Sequence, residues 1–503
     1  MGTPGAKQAH PDCVATLDKR LRVAPDTVVA LVCLLILRPG DDLRTLVERR
    51  ESRRSIAPYS SNGESHMLHF IHASNLGPLL HGFMAPISAP RPPDSTFSEG
   101  DWGLQNAVFW TAASIVISSA MGSLLCVMLF LAKLRIPTSG PVAGIALILP
   151  ATGLLDNLEN LLAALGRQSV RARRLMVAVE SPDDPAYRRA IELAKIHHEP
   201  SIDVVVAGVS NRRGQKCTNI LAALAHLSDE DRFVVMLDAD ICPQPWWLAA
   251  LVGPLAAGSA DLVNGYRWLV PEPPTPVSVL VAHIDRALAV LPRLPRVGMV
   301  WGGSLALTRE ALEILDLATT LDREVIEDGP IAHRIAETGL RLLTRRALRV
   351  LTPLNESWRE LWASGRRQGQ FLRLYYPRLW CWAGVLATAD FLARMMLAWD
   401  LLGAGSMPAL FVLVLVAALD SIATGLRRAV GHRIGAVDAA ASTSYQHMLI
   451  WTILPIGVWY VSLIWASAFT SVIRWAHVEY LLDRFGHVLA ARRHPYGPRR
   501  REV

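Results

Sequence analysis

The 503-residue chain has no C-x-x-C pair; its six cysteines (Cys13, Cys33, Cys126, Cys217, Cys242 and Cys381) are scattered. That scatter argues against a disulfide framework and suits a soluble part that faces a reducing cytosol. Zinc-finger spacing and base-stacking modules are also missing, so nucleic acid is not an expected partner despite a net charge of +7. Arginine carries most of that charge, beside apolar segments and at the C-terminal end, where anionic lipid headgroups are its natural neighbours. Near the N-terminus, Val28 to Leu37 is too short to span a bilayer and has no small-residue cleavage site. Ser55 to Pro93 has no clear periodicity, so residues 1–100 are expected to be poorly ordered and receive no function.

What is present divides into apolar and alternating parts. Hydrophobic residues make up 51% and the mean hydropathy is +0.27, a mixture that fits a soluble domain joined to a few membrane spans. Ala107 to Leu134 carries no charge before Lys133 and is expected to cross a membrane. Acids precede it while Lys133 and Arg135 follow it, so its C-terminal end is expected in the cytoplasm. After Trp358 the candidate membrane segments are Leu379–Leu402, Pro408–Leu426 and His447–Ile473. The first carries Asp390, Arg394 and Asp400 and is expected to lie in the interface or re-enter. The Gly425–Arg433 loop and the basic tail 474–503 compete for the positive side, and two full spans plus an interfacial helix keep the tail cytoplasmic.

Between Pro141 and Pro353, apolar runs suited to buried parallel strands alternate with segments of helical period. The strands are expected at Gly144–Leu149, Arg174–Val179, Asp203–Ala207 and Phe233–Leu237, with helices at Asn157–Leu165, Pro185–His197 and Cys217–Leu227. Such alternation predicts a Rossmann-like, mostly parallel sheet covered by helices, with ligands at the carboxyl ends of the strands.

Acids stand at those ends. In "FVVMLDADICP", Asp238 and Asp240 point to one side of an extended chain, which serves a cation and a turn equally well. In "VESPDDPAYRRAIELAK", Asp184 before Pro185 makes a good helix start, while a bound nucleotide would also need an acceptor there, from Asp183 or Asp184. "EVIEDGP" offers Glu327 and Asp328, the latter a helix cap or a general base. "VWGGSLAL" supplies Trp301, Gly302, Gly303 and Ser304 for a tight turn or a close approach to ligand. Lys216 in "RRGQKCTN" suits a diphosphate or plain solvent. "ELWASGRRQGQFLRLYYPRLW" places Arg366, Arg367, Gln368, Gln370 and Arg373 either on an interfacial helix or beside a leaving diphosphate.

In this order, "DDPA" (Asp183–Ala186), "LDAD" (Leu237–Asp240), "ED" (Glu327–Asp328) and the arginine-glutamine stretch resemble the membrane-bound family 2-type glycosyltransferases. The likeness is closest to the ceramide glucosyltransferase (family 21) group, with "QK" at Gln215–Lys216 and "WGGSLAL" in support. The resemblance implies an A-type α/β nucleotide-diphospho-sugar transferase domain (141–378) with C-terminal membrane segments (379–473), in a multi-pass inner-membrane protein whose catalytic domain is cytoplasmic. It implies a UDP-sugar donor, UDP-glucose being the expected one, and a divalent cation, Mg2+ or Mn2+. The acceptor it implies is a membrane lipid hydroxyl such as that of ceramide, hopanoid or a diacylglycerol-like lipid. By the same resemblance Asp183 and Asp184 contact the nucleotide, Asp238 and Asp240 serve the metal–diphosphate, and Asp328 is the base of a single inverting displacement. Where the family usually ends in Gln or Arg, two residues, then Arg-Trp, this chain has Arg367-Gln368-Gly369-Gln370-Phe371, with Arg366 and Arg373 at hand to replace the charge. The competing readings are a processive polysaccharide synthase and a silent nucleotide-binding scaffold.

Overall fold

The computed structural model describes residues 99–137, 140–292, 299–355, 357–436 and 453–496. The expectations for residues 1–98, 447–452 and 497–503 lie outside the described residues.

A seven-stranded sheet forms the centre, from β1 (Ile145–Pro150), β2 (Arg174–Val179), β3 (Ser201–Val206), β4 (Phe233–Leu237), β5 (Leu262–Pro271), β6 (Ser304–Thr308) and β7 (Leu342–Leu354). Its order is β3-β2-β1-β4-β6-β5-β7. β1 and β4 are buried along their whole length, which is why both read as unbroken apolar runs. The first four strands are parallel, as expected, but β6 runs antiparallel to both β4 and β5. Because β2 and β4 flank β1 on opposite sides, a crevice opens at the carboxyl ends of β1 and β4, the switch point where open α/β sheets bind ligands.

The helices up to Tyr375 are α1 (Glu99–Ala132), α2 (Leu158–Gly166), α3 (Pro185–Ala194), α4 (Gln215–Leu224), α5 (Trp247–Ala256), α6 (Pro276–Ala289), α7 (Arg309–Leu315), α8 (Leu317–Thr320), α9 (Asp328–Thr338) and α10 (Trp358–Tyr375). Of these, α1 belongs to a separate bundle. Asp184 caps α3 ahead of Pro185, and Ser357 with Glu360 forms a capping box on α10.

The bundle holds α1, α11 (Pro377–Ala404), α12 (Met407–Arg433) and α13 (Ile453–Ala466). Two stretches, Gln105–Ala132 and Met407–Arg433, are long and apolar enough to cross a membrane. Leu379–Leu402, expected to lie in the interface or re-enter, is helical throughout. It belongs to one continuous helix whose Ala393 and Leu397 are buried against Ala113, Val116 and Val412. Its charges allow this because Arg394 pairs with Asp390 in its own helix and with Asp420 on α12. Gly425–Arg433 is the last turns of α12, not a loop. Its Val430, with Ile434, packs on Trp268, Ala347 and Val290 of the sheet domain.

The described part of the expected basic tail is also folded. Val472–Trp475 (β8), Val478–Leu482 (β9) and Val488–Arg493 (β10) form an antiparallel sheet in the order β10-β9-β8. Alternation buries Ile473, Val478, Tyr480, Leu482 and Val488 against Val325, Phe371 and Leu374, while the arginines between them face outward or make specific pairs. The arginine-rich end of α12 and this terminal sheet both pack on the sheet domain.

Candidate active site

Hydrogen bonds fasten the crevice before any of the expected site residues enters it. Asn219 on α4 donates to the carbonyls of Ala151 (3.3 Å) and Ala178 (3.0 Å), tying the helix to the ends of β1 and β2. Gln215 bonds Gly208 O and Asn219 Oδ1, and Asn157 donates to the carbonyls of Ala239 and Ile241 beyond β4. Asn219 and Asn157 sit in segments where helical period alone is informative, so their roles carry no sequence signal.

Into this frame the structure brings four of the expected acids. Asp238 follows β4, and Glu327 and Asp328 stand at the start of α9. Lys216, in the first turn of α4, links the two groups, with Nζ at 2.8 Å from Asp238 Oδ1 and 2.7 Å from Glu327 Oε1. Burial alone would lower the Lys216 ammonium, but Asp238, Glu327 and Asp328 raise it well above the ordinary lysine range. Asp328 Oδ1 accepts the Gly302 N–H at 2.6 Å. Burial and the adjacent Glu327 charge push Asp328 well above the carboxylate range, against the pull of Lys216 and that N–H. Asp240 keeps a water-accessible carboxylate, yet the protein around it and the neighbouring Asp238 push it up to about 6. Four carboxylates thus converge on a single lysine, with Arg267 of β5 the next cation towards Asp240. Arg267 itself is held by Asp285 at 2.9 Å, a pairing no motif announces.

The glycine pair is there because nothing larger fits. A Cβ at Gly302 would stand 2.0 Å from Glu327 Oε1, and one at Gly303 would stand 2.4 Å from Asp238 Oδ2 and from the Trp301 ring. Trp301 donates its backbone N–H to Asn264 Oδ1 and meets Tyr266 edge-on. Ser304 does not open to the crevice. It is fully buried, and its hydroxyl accepts from the Trp247 indole at 2.9 Å.

The other expected residues divide. Asp184 is fully buried, accepting from Thr152 Oγ1 (2.7 Å), Gly153 N (2.8 Å) and Ala186 N (2.9 Å), so it clasps the end of β1 to the start of α3. Asp183 beside it is exposed. Gln370 is buried and donates to the carbonyls of Thr470 and Val472; Arg373 also reaches Thr470 and Arg367 reaches the carbonyl of Arg474. These three brace the chain around β8. Gln368 is exposed and Arg366 half-buried. Gly369 lets Ser467 approach α10.

The terminal sheet brings in groups that the sequence presents only as a basic tail. Arg493 on β10 pairs with Glu180 at the end of β2 and bonds Asn211 Oδ1, Ser210 O and Gln215 Oε1. His477 Nε2 lies 3.0 Å from the other Glu180 oxygen, and its ring packs 4.3 Å from that of Tyr496. Tyr480 Oη accepts the Gln215 N–H at 2.9 Å. The period-2 alternation of Val478, Tyr480 and Leu482 is the available signal, hidden by the density of arginine around it.

A family model described as Glycosyl transferase family 21 matches residues 108–484. The chain belongs to that family. It is a glycosyltransferase, and the matched span runs from the first apolar helix into the terminal sheet. No curated protein matches the chain. Among solved structures it is similar to a mannosyltransferase from Pyrobaculum calidifontis in complex with GDP-Man and Mn2+. The identity is 15%, over 71% of this chain and 99% of that one, with a TM-score of 0.37. It is also similar to glucosyl-3-phosphoglycerate synthase from Mycobacterium tuberculosis in complex with phosphoglyceric acid, at 21% identity over 46% of this chain and 79% of that one, TM-score 0.31. The same enzyme with Mn2+ and UDP-glucose matches at 21%, over 46% and 78%, TM-score 0.29.

The family implies a divalent cation, and the donor chemistry at the end of β4 fits one. Asp238 and Asp240 offer hard oxygens, and their crowding already favours added positive charge. Among the described residues no group of three or more His, Cys, Asp or Glu is placed to hold a metal by itself. Two carboxylates completed by substrate phosphates and water are how Mg2+-type ions are commonly bound to nucleotides.

Proposed function

We propose that this family 21 transferase moves a sugar, glucose being the expected one, from a UDP-sugar to the hydroxyl of a membrane lipid with inversion at the anomeric carbon. The observation that carries the reading is the Lys216 bridge, which sets the acid at the end of β4 against the acids opening α9, at the crevice where the sheet changes direction.

Asp328 is the base. A carboxylate raised by burial and by Glu327 takes a proton better than an ordinary one, and its bond from Gly302 N–H fixes its direction. It removes the proton of the acceptor hydroxyl as that oxygen attacks the anomeric carbon opposite the departing UDP. Asp238 and Asp240 would hold the cation, which supplies charge neutralisation to the diphosphate when bound. Lys216 keeps Asp238 and Glu327 in register and adds positive charge on the diphosphate side. Gly302 and Gly303 let Glu327, Asp238 and the Trp301 ring pack on the backbone, and so shape the place the sugar would take. Asp183 is the accessible acceptor for the nucleotide, with Asp184 shaping the loop beneath it. Arg366 and Gln368 are the members of the α10 stretch left open towards ligand. The lipid acceptor is supported by two helices long and apolar enough to cross a membrane.

Membranes containing the protein, fed labelled UDP-glucose, test the reading. A labelled glycolipid is expected, lost with a chelator and restored by Mn2+. Labelled polymer, or no product with any lipid, would sink it.

A further inference from the structure

The terminal sheet has two faces and two ends. Its inner face packs on Val325, Phe371 and Leu374, and one end, with His477 and Arg493, meets Glu180 beside the crevice. The other end begins at the bundle. α13, which carries no charged residue, runs directly into the turn Ser467–Phe469, and only Thr470 and Ser471 separate that turn from β8. The turn between β9 and β10 returns to the same place, because Leu482 donates its N–H to Ser471 O at 2.9 Å.

The outward face at this end is apolar. Phe469 is 87% exposed and Phe485 62%, with Val472, Leu481 and Leu489 exposed beside them. The register sorts the face into rows. Val472, Leu481 and Ala490 lie side by side across the three strands, and the next row along is Arg474, Glu479 and Arg492. Arg484 adds a third cation, its guanidinium 4.6 Å from the centre of the Phe485 ring. The acids here are engaged: Glu479 stands between the two arginines and pairs with His494 at 3.2 Å, and Asp483 accepts from the N–H groups of Phe485 and His487. At two residues' distance the arginine row stands roughly 7 Å from the apolar row. Interfacial segments sink their apolar groups about 5–10 Å into the boundary of headgroups and acyl chains, which puts arginines at that spacing among the phosphates. An apolar patch rimmed by cations marks a contact surface, and its attachment to an apolar bundle helix favours a bilayer over a soluble protein.

We propose that the outward face of the terminal sheet docks on the surface of an anionic phospholipid bilayer, with Phe469, Val472, Leu481, Phe485 and Leu489 in the interface and Arg474, Arg484 and Arg492 on lipid phosphates. The proposal rests on the membrane reading above and adds to the helices a peripheral anchor with a preference for one lipid charge. Because the opposite end of the same sheet bonds Glu180 and Gln215, docking also fixes the crevice relative to the lipid surface.

The test places the full chain in nanodiscs of phosphatidylcholine, with and without phosphatidylglycerol, and reads hydrogen exchange by mass spectrometry in peptides covering Leu481–Ala490. Phosphatidylglycerol is expected to slow exchange there by about tenfold, the scale of an arginine pair held at an anionic surface. Arg484→Glu combined with Arg492→Glu is expected to abolish that slowing, and Phe485→Ser combined with Leu489→Ser to remove most of it. All four side chains are exposed, so the unfolding midpoint in detergent should stay at the wild-type value. Equal exchange in the two kinds of disc, or undiminished slowing in the charge-reversed variant, overturns the docking. Slowing in detergent that grows with protein concentration gives the face to a second copy of the chain and overturns it too. A chain retained in the discs with this face unprotected leaves the membrane reading standing, whereas release of the chain from membranes by alkaline carbonate overturns both.

Discussion

Two carboxylates at the rim of one sheet, Glu180 after β2 and Asp328 at the start of α9, are pushed in opposite directions. Burial alone would raise Glu180, but His477 and Arg493 hold it below the usual range. Asp328 is raised by burial and by Glu327, with one shared lysine to oppose them. At Glu180 cations outnumber acids and the group is a fastener for the terminal sheet. At Asp328 acids outnumber cations, and the unmet charge is what a base or a metal–diphosphate site needs. Compensation, more than burial, separates the fastening acid from the proposed base.

The sharpest way to break the contrast is Asp328→Asn. Turnover is expected to fall by about 10²–10⁴-fold, the worth of a positioned base. The same variant is expected to be more stable than the wild type at neutral pH. A carboxyl whose folded pKa lies above its unfolded value costs stability once ionised, and Asn removes that cost while still accepting from Gly302 N–H. Thermal unfolding in detergent beside a rate assay checks both; a stability loss would mean Asp328 is a fastener too.

Lys216→Met is expected to act in the reverse sense on stability. It leaves Glu327, 1% exposed, without its ion-pair partner, at about 3–5 kcal/mol, and turnover fails with it. An unfolding midpoint like that of the wild type would show that the acids do not depend on this lysine.

Arg493→Ala should cost about 1–3 kcal/mol, because a buried carboxylate loses its guanidinium partner. The sign of its pH dependence is also set. In the wild type Glu180 contributes stability above its unfolded value of about 4.5, lost as pH falls through its lower folded value. Without Arg493, only His477 opposes burial, the folded value rises, and the acid loss begins at higher pH. Identical acid unfolding of the two proteins would remove Glu180 from the fastener class.

The smallest expected effect is in the wild-type pH–rate profile. Its acid limb should lie above the ordinary carboxylate range, falling as pH drops through the raised Asp328 value, and Arg493→Ala should leave that limb in place. A limb near pH 4 would contradict the raised value in the working enzyme.

Much of this is legible in the residues alone. β2 and β4 fall where their apolar runs begin and end, and β1 within one residue, because a strand buried on both faces can be nothing but apolar. β5, β6 and β7 are not resolved by pattern. Burial along β5 and β7 is partial or interrupted, as at Tyr266 and Arg267, so neither period stands out. Asp238, Glu327 and Asp328 stand out as acids next to turns, yet Ser304 and Gln370, equally well placed in their motifs, point into packing and into backbone carbonyls.

The sequence by itself determined the parallel strand–helix alternation, the apolar helices and the acids at the strand ends. Those follow from local periodicity and from the residue types that chemistry requires. Only the tertiary structure decided which acids would be matched by cations. Arg493 lies 313 residues from Glu180, Lys216 meets both Asp238 and Glu327, and Arg394 finds Asp420 on another helix. Charge compensation depends on distance in space, to which the order of residues along the chain gives no direct guide.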